Sequence, residues 1–304
     1  MSLRLVLVAQ EAAGARILKG LLSSPHEVVA VLQGGSEDSL SRAPLSQLAS
    51  EAGIPTAPAQ LVRDPSFAER IRGDSVDLLI NANALEIAVA EVLAAPSMGC
   101  FNLHPGPLPE YAGLNTVGWA IYEGAVEYGV SLHWMEPGID TGPIALEERF
   151  RIDPNATALT LSAECTRRGV PLVFALLDAA SRGVSEIPVV AQDLSRRRYF
   201  SSKDVPSQGR ASWEEPGADL LRLARAFDYG PFPCPWGRLG ATIAGTDVQL
   251  AGLAATGESR PTAVQPGEAR LGTDGALWVA CRDEWLAVPR VFKNRLPVEP
   301  TSLL

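Results

Sequence analysis

The first half of this chain alternates short runs of β-branched and aliphatic residues with amphipathic stretches of helical length, and few folds accept that order. Apolar runs at 3–9, 27–32, 77–81, 99–103 and 129–135 read as strands. Between and around them, 13–22, 44–52, 65–71, 87–94 and 116–123 carry helical periodicity. A strand that crosses over through a helix returns parallel to its predecessor. The expected architecture is therefore α/β, a Rossmann-like, open and mainly parallel sheet. A longer helix over 157–181, with Leu159, Leu161, Val170, Leu172 and Leu176 on its apolar positions, is expected to close this domain at residue 186.

Beyond it, 187–211 exchanges aliphatic periodicity for Ser, Arg, Pro and Gln and reads as a linker. Residues 212–304 then show one helix, 218–227, and short strands at 241–243, 247–250, 277–280 and 284–288, divided by Gly and Pro turns: a smaller, barrel-like C-terminal β domain. With 304 residues, 46% hydrophobic and 20% charged, there is ample material for two cores. No apolar run approaches the eighteen or so residues that span a bilayer, and residues 1–20 make a poor signal peptide, so no membrane association and a cytoplasmic location are expected. Cys100, Cys165, Cys234 and Cys281 lie too far apart for a zinc knuckle or redox pair and read as reduced thiols. A net charge of -9 repels phosphate backbones, which disfavours nucleic acid as a partner, and the dense run Arg196 to Arg198 reads as solvated surface.

The polar residues of 101–144 require a chemical explanation. Asn102 and His104, two apart in a strand, project to one side at the carboxyl end of a parallel strand, the edge where open α/β sheets build their sites. The run Pro105-Gly106-Pro107-Leu108-Pro109 stiffens the chain just after them. Asp140 sits in a second turn, Pro137 to Gly142, whose two glycines allow close approach to a ligand. An amide, an imidazole and a carboxylate, with no Ser or Cys nucleophile nearby, suit an amine attacking a formyl carbon. Asn102 would donate to the oxyanion, His104 would donate or shuttle a proton, and Asp140 would orient the imidazole and take the amine's proton. His133, in an apolar strand, is expected to pack or hydrogen-bond rather than react.

The pattern Asn102, His104, Pro105, Leu108, Pro109, Gly113, followed by Gly138, Asp140, Thr141, Gly142, resembles the formyltransferase family, which includes methionyl-tRNA, glycinamide ribonucleotide and sugar N-formyltransferases. The resemblance implies 10-formyltetrahydrofolate as donor, direct transfer through a tetrahedral intermediate, and no metal. It also implies pterin contacts at Leu85, Glu86, Ile87, Glu136 and Ile139. Gln10 and Glu11, at the end of the first strand, and Tyr111, after the stiff loop, are candidates for acceptor binding. Acidic net charge and Glu110 in the stiff loop argue against transfer RNA, and the second domain argues against glycinamide ribonucleotide. The expected acceptor is a small amine, free or held on a carrier protein: an amino acid, a hydroxylated ornithine or an amino sugar. Methionyl-tRNA formylation and hydrolysis of the donor are the alternatives, with a non-catalytic folate-binding module the least favoured.

Overall fold

A computed structural model describes residues 1–34, 43–273, 275–294 and 296–304. Residue contacts divide the chain into two units, one of Met1–Gly113, Tyr128–Phe150 and Ala163–Tyr199, the other of Leu114–Glu127, Arg151–Ser162 and Phe200–Leu304. The strands of the first unit are β1 (Arg4–Ala9), β2 (Glu27–Gln33), β3 (Thr56–Pro58), β4 (Leu78–Ala82), β5 (Cys100–His104), the two-residue β6 (Ala112–Gly113), β7 (Glu127–Trp134), β8 (Ile144–Arg151) and β9 (Tyr199–Phe200). Seven of them form one sheet in the order β3-β2-β1-β4-β5-β7-β8, while β6 and β9 pair separately. From β3 to β5 every pairing is parallel, as the alternation of strand and helix predicts.

Three features depart from the sequence reading. The run expected at 129–135 is β7, which pairs antiparallel to β5, with Asn102 opposite His133 and His104 opposite Ser131. The strands β3 and β8 escape the apolar pattern, because β3 has three residues and β8 carries Glu147, Glu148, Arg149 and Arg151 in IALEERFR. The helix expected at 87–94 contracts to Ala90–Leu93.

Alternation along β1 explains why the sheet is covered on both faces. Leu5, Leu7 and Ala9 enter one core with Ile17, Leu18 and Leu21 of the helix Glu11–Leu21, Leu45 of the helix Ala43–Glu51, and Val173, Leu176 and Leu177 of the helix Ala158–Arg182. Val6 and Val8 enter the other, with Phe67, Ala68 and Ile71 of the helix Phe67–Gly73 and with Val92. Because the chain winds from β1 outward to β3 and then back to β4, the carboxyl ends of β1 and β4 flank the point where winding reverses, the usual ligand crevice of such sheets.

In the second unit, the strands β10 (Leu239–Ile243), β11 (Thr246–Leu250), β12 (Ala254–Ser259), β13 (Ala269–Leu271), β14 (Leu277–Ala280), β15 (Glu284–Val288), β16 (Val291–Lys293) and β17 (Leu296–Val298) form two four-stranded antiparallel sheets, β10-β11-β16-β17 and β12-β15-β14-β13. The helix Gly217–Ala226 accompanies them, with Leu220, Leu223 and Ala224 buried. An aromatic cluster of Trp119, Tyr122, Phe200, Phe227 and Trp236 belongs to the same unit. A concavity of about 1290 Å³ here is lined by residues such as Arg210, Trp213 and Glu268 and includes none of the residues singled out above for chemistry.

Leu7 is 1% exposed at the centre of the first core. Leu7→Ala is expected to lower stability by about 2–5 kcal/mol in urea unfolding, and the volume-conserving Leu7→Met by less than about 1.5 kcal/mol.

Candidate active site

Strand register assembles the site. Asn81 of β4, Asn102 of β5 and His133 of β7 are cross-strand partners in one row, so their side chains rise side by side from the same face of the sheet. His104 lies two residues beyond Asn102 on that face. The row is linked throughout: Asn81 Nδ2 donates to Asn102 Oδ1 at 3.0 Å, and Asn102 Nδ2 lies 3.1 Å from His133 Nε2 and donates to Asp140 Oδ1 at 3.4 Å.

The spacing therefore brings Asn102, His104 and Asp140 together as expected, and adds two partners. His133, 2% exposed, donates from Nδ1 to the Trp134 carbonyl at 2.7 Å, and its Nε2 lies 3.4 Å from Asp140 Oδ1. Asn81, 6% exposed, also donates to the Ala84 carbonyl at 3.0 Å. The only signal for either in the sequence is a polar residue inside an otherwise apolar strand.

Asp140 is buried, which penalises its charge. Nevertheless, the imidazoles of His104, with Nδ1 at 3.6 Å from Oδ2, and His133, together with the backbone N–H of Gly113 at 2.8 Å, hold its carboxyl well below the usual carboxylate range. Its backbone is left-handed, with φ 55°. A Cβ on Gly142, in the same turn, would fall 2.0 Å from the Trp134 carbonyl, so only glycine fits there.

The His104 tautomer is set from the stiff loop rather than by Asp140. Nε2 donates to the Tyr111 carbonyl at 2.6 Å, which leaves Nδ1 facing the carboxylate. A Cβ on Gly106 would sit 2.8 Å from both His104 Nε2 and the Tyr111 oxygen, so the glycine keeps that bond open. Two side chains brace the loop: Tyr128 donates to the Pro105 carbonyl at 2.9 Å, while Ser131 Oγ donates to Gly106 at 2.9 Å and accepts from the Leu108 N–H at 3.1 Å. The Leu108–Pro109 peptide is cis.

The stretch read as a linker grips the Asp140 turn. Gln192 Nε2 donates to the carbonyls of Asp140 (3.0 Å) and Gly142 (2.6 Å), and Arg197 donates to the carbonyl of Ile139 at 2.9 Å. Arg196 and Arg198 stand on the solvated surface as expected and Arg197 is half-buried, and each also meets a neighbour. Arg196 pairs with Glu110, Arg197 also lies over the Tyr199 ring, and Arg198 sits 5.6 Å from the Tyr111 ring centre.

The remaining expected residues divide. Leu85 (65% exposed), Ile87 (62%) and Ile139 (39%) stand in solvent, and Glu136 is also exposed. Glu86 is tied down by Arg63 at 2.5 Å and Gln60 at 2.8 Å. Gln10, half-buried at the end of β1, donates its backbone N–H to Ala82 at 3.1 Å, and the side chain of Glu11 lies outside the described residues. The Tyr111 ring packs edge-on against Tyr128, 5.1 Å between centres. All four cysteines are free, and burial pushes the Cys100 thiol up to about 12, which makes it inert as a nucleophile. Among the described residues, no group of three or more His, Cys, Asp or Glu could hold a metal ion, and no helix is long and apolar enough to cross a membrane.

A doubly wound sheet with an amide, an imidazole and a carboxylate gathered at its carboxyl edge is an α/β enzyme architecture with its polar cluster at the edge where such sheets build their sites. Comparison with known proteins makes this specific. Residues 6–174 match the formyl transferase family. The methionyl-tRNA formyltransferase of Pseudomonas fluorescens is 31% identical over 294 residues, covering 95% of this chain and 89% of that protein, and that of a Methylobacterium species is 31% identical over 239 residues, covering 77% and 75%. Among solved structures, the Helicobacter canadensis N-formyltransferase in complex with folinic acid and dTDP-3-aminofucose superposes with a TM-score of 0.71 at 18% identity, covering 95% of this chain and 100% of that one. HypX from Aquifex aeolicus, in complex with tetrahydrofolic acid, gives 0.70 at 20% identity over 100% of this chain and 47% of its own. The chain belongs to the formyl transferase family and is an N-formyltransferase.

Asp140 is held ionised below its ordinary pKa of about 3.9, so its charge adds stability that is complete above that value and is lost as the pH falls below it. Asp140→Asn should flatten the pH dependence of urea unfolding between about pH 5 and pH 2. Identical slopes in the two proteins would show that the carboxylate is not held ionised by the histidines.

Proposed function

We propose that the protein transfers the formyl group of 10-formyltetrahydrofolate to the amino group of a small amine, free or held on a carrier protein, in the cytoplasm. The observation that carries the reading is the buried cluster of Asn102, His104 and Asp140 at the carboxyl edge of the sheet. Four unpaired thiols suit a reducing compartment.

The donor supplies an activated formyl carbon. Leu85, Ile87 and Ile139, apolar side chains standing in water beside the polar cluster, suit the flat ring of a pterin, with Glu136 at the margin. Asn102 Nδ2 is the proposed donor to the oxygen on which negative charge develops, exchanging its long 3.4 Å contact with Asp140 for that oxygen. His104, with its Nε2 proton spent on Tyr111, offers Nδ1 next to the Asp140 carboxylate, so the pair can take up the proton that the attacking amine sheds. Asp140 stabilises the imidazolium that results and is itself the alternative proton acceptor. Gln10 and Tyr111 remain the candidates for holding the amine, with Glu11 as a third. Residues 1–186 are proposed as the domain that performs this chemistry, with 212–304 as a separate smaller domain.

For the acceptor, the net charge of -9 and the placing of Glu110 in the stiff loop, where it pairs with Arg196, support a small amine over a phosphate backbone. An amino acid, a hydroxylated ornithine and an amino sugar nucleotide each present a primary or substituted amine of suitable size. Methionyl-tRNA is the second reading, favoured by 31% identity to the Pseudomonas fluorescens enzyme along 95% of the chain.

The test is tetrahydrofolate formation from 10-formyltetrahydrofolate with a panel of these amines and with charged methionyl-tRNA, using Asn102→Ala as the blank. Release that depends on one small amine and falls about a hundredfold or more in the blank is expected. Release dependent on the charged tRNA alone would overturn the acceptor assignment, and amine-independent release would make the protein a hydrolase of the donor.

A further inference from the structure

We infer that Asn81 is a positioning residue for formyl transfer, setting which end of the Asn102 carboxamide faces the reacting centre. The inference rests on reading Asn102 as the donor to the developing oxyanion. The two ends of a carboxamide are nearly identical in shape and opposite in hydrogen bonding. A flipped Asn102 would fill the same space yet present a carbonyl oxygen to an oxyanion, turning the stabilising group into a repelling one. Something in the fold must therefore forbid the flip.

A backbone carbonyl forbids it. The Ala84 oxygen can only accept, so the Asn81 atom 3.0 Å away is Nδ2. That same nitrogen lies 3.0 Å from Asn102, whose nearer atom must then be the acceptor, Oδ1. Asn102 is thereby left in one orientation, with Nδ2 toward His133 and Asp140. Register makes this possible, since Asn81, Asn102 and His133 are direct cross-strand partners.

Asn81 lies in the apolar run LLINA of β4, is almost wholly buried, and among the described residues its Oδ1 has no hydrogen-bond donor. Its one polar end in use is Nδ2, which serves the Ala84 carbonyl and Asn102 Oδ1 together.

The experiment is a double-mutant cycle of Asn81→Leu and Asn102→Ala, run with whichever acceptor supports turnover, and with thermal unfolding recorded for each protein. Asn81→Leu is expected to lower kcat at least tenfold, to leave KM for 10-formyltetrahydrofolate within twofold, and to cause less than a twofold further loss in the Asn102→Ala background. A kcat within twofold of the wild type, or an equal loss on both backgrounds, would overturn the inference. If Asn102→Ala itself leaves kcat unchanged, the reading of Asn102 fails, a result distinct from failure of Asn81 alone. Asn81→Asp, which keeps the shape but cannot donate when ionised, takes the place of Asn81→Leu in the same cycle should the leucine variant not fold. A further arm requires no acceptor: the Asn102 side-chain NH₂ signal, assigned by its loss in Asn102→Ala, should exchange with solvent at least tenfold faster in the Asn81 variant, and unchanged exchange would count against the inference.

Discussion

The burial of an ionised carboxylate is the constraint on which the site depends. Asp140 is 8% exposed, and a charge so far removed from water persists only where hydrogen bonds and opposing charge replace its hydration. Two imidazoles, one carboxamide and one backbone N–H do so, drawn from β5, β6 and β7. The left-handed backbone at Asp140 and the glycine at 142 follow from the same demand, since the turn must bring a short side chain inward beneath the Trp134 carbonyl. Much of the local oddity in 99–144 thus traces to one charge.

That charge also ties chemistry to architecture. The parallel strands β4 and β5 deliver Asn81 and Asn102 at their carboxyl ends, and the antiparallel β7 sends His133 into the same row from the opposite direction. Reversal of β7 sets its penultimate residue, His133, opposite Asn102 and Ser131 opposite His104. The loop 105–111, braced by Tyr128 and Ser131, then fixes the second histidine through a backbone carbonyl. Stiffness here comes from partners on β7 as well as from proline.

What the sequence disclosed follows physical range. Alternation along β1 reports burial on two faces, and so the parallel core from β3 to β5 could be read from its residues, apart from β3 itself, too short to show a period. Strand direction is not written in periodicity, and β7 looks the same forward or reversed. Strand β8 hides because Glu147, Glu148, Arg149 and Arg151 break its apolar run at the edge of the sheet. Asn102 and His104 announced themselves by a spacing of two, and Asp140 by its glycine-flanked turn. Asn81 and His133 join them only through register across 21 and 31 residues. The contacts of Gln192 and Arg197 lie 50 and 58 residues away and leave no local pattern at all.

The Gln192 clamp has a bearing on when the site matures. Asn102, His104 and Asp140 are all synthesised well before residue 192, yet the two carbonyls that frame the Asp140 turn have their side-chain donor only after it. A nascent chain leaving the ribosome therefore passes through an interval in which the reacting groups exist while the turn that carries one of them is held by its own strands alone. Maturation of the centre is in this sense a late event in the life of the polypeptide, set by the position of a single glutamine along the message.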